Sequence, residues 1–215
     1  CPERSTNAVN NRNSSTRGAK KSPEEIMSSC WFCLANPNLD KQLIVAIGNE
    51  TYLTMAKGGL VTDKPISNAD YTSPVPGGGH VLIIPINHYT NQHRRPDTST
   101  PETWDNFKAE TARFKRALAD CYSENNCVPV FFEVCRNANH QHTHIQAVPI
   151  PKDRKAEIRE FFVSVANEEG IEHQDELPKG PSLSAGYFKM EFPDGGKPVY
   201  CPIPPHTYFN LQYGR

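Results

Sequence analysis

The chain has 215 residues, 37% of them hydrophobic, and a formal net charge of −1. That length suits one large domain or two small ones. The balanced charge excludes a global basic field, so any nucleic-acid contact must come from local patches. No apolar run approaches the ~20 residues that span a bilayer, and no secretory apolar region is present, so no membrane association is expected.

Residues 1–22 are polar, basic and rich in Asn and Ser, with almost nothing to bury. Residues 1–28 are therefore expected to form a disordered linker, with a short helix starting across Pro23–Ser29. Leu43–Ile47 and Thr51–Ala56 read as two strands around the turn Gly48-Asn49-Glu50. Residues 57–79 form a long loop rich in Gly and Pro, of a length that marks function or mobility. An apolar strand follows over 81–86.

Residues 101–121 read as a helix. Ser99 and Glu102 suggest a capping box, Pro101 suits the first turn, and Trp104, Phe107, Phe114 and Leu118 form the apolar stripe. Val128–Val134 and His142–Val148 are the next strands, expected to pair because sequential strands usually do. Asp153 can cap a helix over 154–168, with Ile158, Phe161, Phe162 and Val165 on one face and Gly170 ending it. Tyr187–Phe192 reads as a strand and Asp194-Gly195-Gly196 as a turn. The Pro- and aromatic-rich segment 197–215 is expected to pack on the first unit. The fold class is α+β: an antiparallel sheet with flanking helices, plus a smaller C-terminal α/β extension packed on it.

The seven cysteines are an odd number. Cys121, Cys127 and Cys135 are scattered and Cys201 sits among prolines, which does not make a disulfide framework. A reducing compartment is expected. The first residue is Cys1 rather than Met, as expected of a fragment.

The chemistry is concentrated in His142-Thr143-His144-Ile145-Gln146. Alternation puts His142, His144 and Gln146 on one strand face and Ile145 on the other, and His140 extends the parity. Imidazole can bind a metal, attack phosphorus or shuttle a proton near neutral pH. Surface strands usually draw on Thr, Lys and Glu instead. Cys30-Trp31-Phe32-Cys33 is a C-x-x-C, whose thiolates can chelate one ion that distant imidazoles complete to a tetrahedron. A redox role would need a thioredoxin-like βαβ context, which is absent. Gly79-His80 to His88 is an apolar strand with a histidine at each end.

In this order, C-x-x-C, G-H-φ-φ-φ-φ-P-φ-x-H and H-x-H-x-Q resemble the histidine-triad superfamily in its zinc-bearing, uridylyltransferase-like layout. Cys30–Ala35, Ala56-Lys57-Gly58-Gly59-Leu60, Phe131-Phe132-Glu133, Gly186–Phe192 and Phe209–Arg215 narrow the likeness. They resemble the paired CwfJ C-terminal domains of the splicing-associated Cwf proteins, nearest the lariat-debranching-enzyme-associated branch. The resemblance covers residues 29–215. It implies a first domain over 29–151 and a second over 152–215.

The resemblance implies zinc on Cys30, Cys33, His88 and His142; by its strand parity His140 is an alternative ligand. It implies His144 as a nucleophile toward an α-phosphorus, Gln146 as a donor to a phosphoryl oxygen, and His80 as an orienting group. Hydrolases of the superfamily carry His where this chain has Gln146. An amide cannot protonate a leaving group, so the usual hydrolytic route is in doubt. The implied partners are RNA (an intron lariat or a single strand), the lariat debranching enzyme and spliceosome-associated proteins. The implied compartment is the nucleus, with the cytoplasm as a second. Two alternatives stay open: a stand-alone nucleotidyltransferase or dinucleoside polyphosphate phosphorylase-like enzyme, and a catalytically dead zinc-stabilised interaction module.

Weaker signals surround this core. His93-Arg94-Arg95 and the cluster Lys152, Arg154, Lys155 and Arg159 are candidate phosphate contacts. Asn137, Asn139 and His140 adjoin the motif, the asparagines reading equally well as turn residues. Tyr89, Tyr187 and Tyr208 are candidate stacking aromatics.

Overall fold

The computed structural model describes residues 22–60, 72–136, 141–179, 186–204 and 209. Helix α1 (Pro23–Ser29) starts at a capping box, with the Ser22 side chain accepting from the Glu25 N–H and the Glu25 carboxylate accepting from the Ser22 N–H. Strands β1 (Ile44–Ile47) and β2 (Thr51–Met55) form the expected hairpin, and β3 (Val81–Pro85) follows. Helix α2 (Pro101–Glu124) is capped by Thr100, whose side chain accepts from the Thr103 N–H. The expected Ser99–Glu102 box does not form, because the Ser99 hydroxyl is bonded to the Tyr89 hydroxyl at 2.9 Å.

Strands β4 (Cys127–Cys135) and β5 (Ile145–Pro151) come next. Helix α3 (Ile158–Glu168) begins later than the sequence suggests: residues 152–154 form a 3-10 turn instead, and Asp153 is not its cap. Gly170, at a φ of 68°, ends the segment. Strand β6 (Tyr187–Glu191) and strand β7 (Val199–Pro202) complete the fold. Strand β7 went unread in the sequence, where Pro198 and Pro202 bracket it and suggest loop.

All seven strands lie in one antiparallel sheet of order β1-β2-β3-β5-β4-β6-β7. The α+β architecture is the expected one. The C-terminal segment joins it directly, since β6 pairs with β4 and β7 with β6. One hydrophobic cluster runs from Val130 to Ile203 and so crosses residue 152.

Register decides which side chains share a face. Ile44, Thr54, Leu82, Gln146, Phe132, Met190 and Val199 stand opposite one another in a row across the sheet. Period-two alternation puts Leu53, Ile83, Ile145 and Ala147 on the reverse face. There they pack with Phe114, Leu118 and Tyr122 of α2. The face carrying Gln146 holds two separate clusters. One gathers Tyr52, Leu82 and Ile84 with Phe32 and Leu34. The other gathers Phe132, Phe188 and Met190 with Phe162 of α3. Gln146 falls between them.

Candidate functional site

Two local features build the metal-ligating corner. Cys30 ends α1, and the chain turns at once through Trp31 and Phe32 to Cys33. Asn36 holds that turn, its Nδ2 donating to the Cys30 carbonyl at 2.7 Å and its backbone N–H to the Cys33 carbonyl at 2.9 Å. The Phe32 N–H points at Cys30 Sγ at 3.4 Å, and the Tyr52 hydroxyl donates to the Phe32 carbonyl at 2.7 Å. The turn is thereby fastened to β2.

His88, just beyond β3, and His142, just before β5, meet the two thiols. Cys33 Sγ lies 3.2 Å from His88 Nδ1 and 3.5 Å from His142 Nδ1, and Cys30 Sγ lies 3.5 Å from His142 Nδ1. All four ligand atoms lie within 4.8 Å of one another. Tetrahedral zinc, with Zn–S of ~2.3 Å and Zn–N of ~2.0–2.1 Å, separates sulfur from nitrogen by about 3.6 Å, so the cluster fits such an ion.

The surroundings favour ligation as well. His142 Nε2 donates to the Pro85 carbonyl at 2.9 Å, which leaves Nδ1 with its lone pair facing the cysteines. Burial, aided by His88, lowers the His142 pKa to about 3, so the ring is neutral. Burial and the neighbouring Cys30 push Cys33 up to about 12. A bound cation reverses that preference and holds the thiolate form. Among the described residues this is the one group of side chains with a metal-ligating arrangement.

The second half of the site adjoins the first. His144 Nδ1 donates to the His142 carbonyl at 3.3 Å, so its Nε2 carries the lone pair. Burial lowers the His144 pKa, opposed by that hydrogen bond, and favours the neutral ring. The Phe32 ring leans on His144 with centroids 4.8 Å apart.

His80 is buried immediately before β3. Gly79 places it there, at a φ of 77°, where an added Cβ would sit 2.8 Å from Val75. The Leu60 N–H donates to His80 Nδ1 at 3.0 Å. His80 Nε2 must then be the protonated nitrogen, and it donates to Gln146 Oε1 at 3.1 Å. The relay fixes the amide of Gln146: its oxygen is engaged, and its NH2 has no partner among the described residues. A donor pair at Gln146 on β5 and an imidazole lone pair at His144, just before β5, are thus two residues apart in the chain.

The outer residues behave differently. His93 turns inward, and its Nε2 donates to Glu133 Oε1 at 3.2 Å. The Arg95 guanidinium bonds the Ser99 carbonyl. Only Arg94 of that loop is left without a side-chain bond among the described residues. Arg154 pairs with Glu157 at 2.9 Å and Arg159 with Asp194, while Lys152 and Lys155 are exposed. Asn137, Asn139, His140 and Tyr208 lie outside the described residues. Tyr89 and Tyr187 are not available for stacking: both are buried, Tyr89 against Trp104 and Phe107, Tyr187 with its hydroxyl on Glu133. The sequence reading missed Phe32 as the group that braces His144. Its position inside the C-x-x-C was the available signal.

The chain is thus an α+β sheet module with a Cys2His2 corner close to His144 and Gln146. The family model described as "Protein similar to CwfJ C-terminal" matches residues 17–163, and the chain belongs to that family. It is 37% identical over 187 residues to "CWF19-like protein mug161" of Schizosaccharomyces pombe, covering 87% of this chain and 31% of that protein. It is 32% identical to "CWF19-like protein 1" of Xenopus laevis, covering 99% of this chain and 35% of that protein, and 31% identical to the Homo sapiens protein of the same name, covering 95% and 35%. The chain therefore spans about a third of the length of these curated relatives. Among solved structures, "Hypothetical protein from Leishmania major" is 17% identical with a TM-score of 0.32, covering 58% of this chain and 86% of that one.

Proposed function

We propose that the chain is a zinc-stabilised module of an RNA-processing factor, and that it binds an RNA or nucleotide phosphate between His144 and Gln146. The observation that carries the reading is the relay from the Leu60 N–H through His80 to Gln146. It spends buried hydrogen bonds on aiming an amide NH2 beside a neutral, bonded imidazole. Uncharged donors held in place are what stabilise a phosphoryl oxygen. The kinship with CWF19-like proteins supports an RNA-processing, splicing-related role; the reading extends this to intron-lariat turnover in the nucleus, alongside the debranching enzyme and spliceosome-associated proteins.

The zinc ion would sit on Cys30, Cys33, His88 and His142. With all four positions filled by protein, it would be structural rather than catalytic.

A second reading rests on His144 itself. Its Nε2 has the lone pair to attack phosphorus, forming a P–N bond as the P–O bond to the leaving group breaks. The positive charge left on the ring is stabilised through Nδ1–H and the His142 carbonyl. Gln146 has no proton to give, so the departing oxygen must leave as a stable anion. Phosphate or pyrophosphate satisfies that; a ribose alkoxide does not. The site therefore favours binding RNA, or transferring a nucleotidyl group from a phosphorylated donor, over cleaving an RNA chain.

The test is a turnover assay on nucleoside triphosphates and dinucleoside polyphosphates beside a binding assay with single-stranded RNA. RNA binding that weakens on Gln146→Ala supports the module. Turnover lost on His144→Ala adds the transferase. RNA affinity unmoved by either substitution contradicts the proposal.

A further inference from the structure

Trp31 lies between the two cysteines and is 77% exposed. Indole is costly to leave in water, and no ring of the described residues packs on it. The turn that carries it is rigid: Asn36 and Tyr52 bond its backbone, and Cys30 and Cys33 anchor its ends in the ligating cluster. The next residue, Phe32, touches the His144 ring at 4.8 Å. The two inner positions of one turn thus divide their work, with Phe32 facing the histidine and Trp31 facing solvent.

We propose that Trp31 is a stacking platform for a nucleobase of single-stranded RNA whose phosphate lies at His144 and Gln146; this rests on the phosphate-binding reading above. An exposed aromatic face fixed one residue from the histidine's packing partner gives that base a surface independent of its identity. Stacking of this kind is sequence-tolerant, because every base has a π-face. It also suits a chain of net charge −1, which has little general attraction for a polyanion. The stacking aromatics anticipated elsewhere, Tyr89 and Tyr187, are buried, and Trp31 takes over their role.

The experiment measures affinity of the metal-loaded chain for an adenylate pentamer and for an abasic ribose-phosphate pentamer. Trp31→Ala is expected to weaken the adenylate pentamer about tenfold or more, the scale of one lost stack. Trp31→Tyr should retain most of the affinity, and the abasic pentamer should bind Trp31→Ala and parent alike. Zinc content should stay the same. If Trp31→Ala is without effect while Gln146→Ala weakens the adenylate pentamer, the stack is wrong and the phosphate site stands. If Gln146→Ala and His144→Ala are without effect, the phosphate site is wrong and the stack falls with it. If Trp31→Ala weakens the abasic pentamer equally, the residue acts by supporting the turn, and stacking is refuted.

Discussion

The Phe32 ring rests against the His144 ring, centroids 4.8 Å apart and planes inclined at 46°. Phe32 is fixed by the cysteines on either side of it, so the metal corner and the histidine face are mechanically one unit. Loss of the metal should loosen both.

The first expectation follows from that coupling. Purified protein should carry about one zinc per chain, and chelation should lower its thermal midpoint, because metal binding at such a site is coupled to folding. Cys33→Ala should lose the ion and much of the stability. Phe32→Ala should keep the ion but broaden the His144 ring signals in NMR. A Cys30→Ala/Cys33→Ala protein as stable as the parent rules the site out.

The β1–β2 turn makes a second test. The buried Glu110 carboxylate accepts the N–H groups of Asn49, Glu50 and Thr51 at 3.1, 2.7 and 2.7 Å. An added Cβ on Gly48 would meet that carboxylate at 2.6 Å. Glu110→Ala should cost about 2–4 kcal/mol, since it leaves several donors unsatisfied. Gly48→Ala should cost about 1–3 kcal/mol by displacing the same carboxylate. Denaturant unfolding measures both, and values near zero would mean the turn holds itself.

Much of the fold was legible in the sequence, and the reasons differ by residue. The β1–β2 hairpin, β3, α2 and β4 follow from apolar period and turn chemistry, which are local. Alternation places Gln146 on the sheet face opposite Ile145. The fates of His142 and His144 do not follow from it: β5 begins only at Ile145, and the Pro85 carbonyl, 57 residues away in sequence, aims the His142 ring. Glu110 reads as a surface helix residue until the turn that it caps is folded against it. His93 reads as part of a basic loop until Glu133 appears beneath it. Partners distant in the chain decide each of these.

Acid should destabilise the protein through Glu191. Burial alone would raise its pKa, but Lys115 and Lys189, each 2.6 Å away, bring it down to about 2 from an ordinary 4.5. A depressed carboxylate contributes stability above its unfolded pKa and loses it as pH falls through the folded one. The loss should therefore develop between pH ~4.5 and ~2 and reach at most about 3 kcal/mol. Lys115 stays protonated throughout that range, so its burial adds only a constant cost. Glu191→Gln should flatten this part of the acid-unfolding curve; an unchanged curve would exclude the triad as its source.

His142 and His144 are two residues apart but should fail differently. His142→Ala should release the metal and lower the melting temperature. His144→Ala should leave zinc content and melting temperature near parental values and reduce nucleotide binding. Metal analysis, calorimetry and nucleotide titration on the same samples separate the two, and parallel losses in all three would collapse the distinction.

The most direct measurement is a crystal structure of the zinc-loaded protein with a nucleoside monophosphate or short single-stranded RNA bound. The account predicts a phosphate oxygen accepting from Gln146 Nε2, with the phosphorus facing the His144 Nε2 lone pair. A phosphate found only at Arg94 or at Lys152 and Lys155, with the face between His80, His144 and Gln146 holding water, would contradict it.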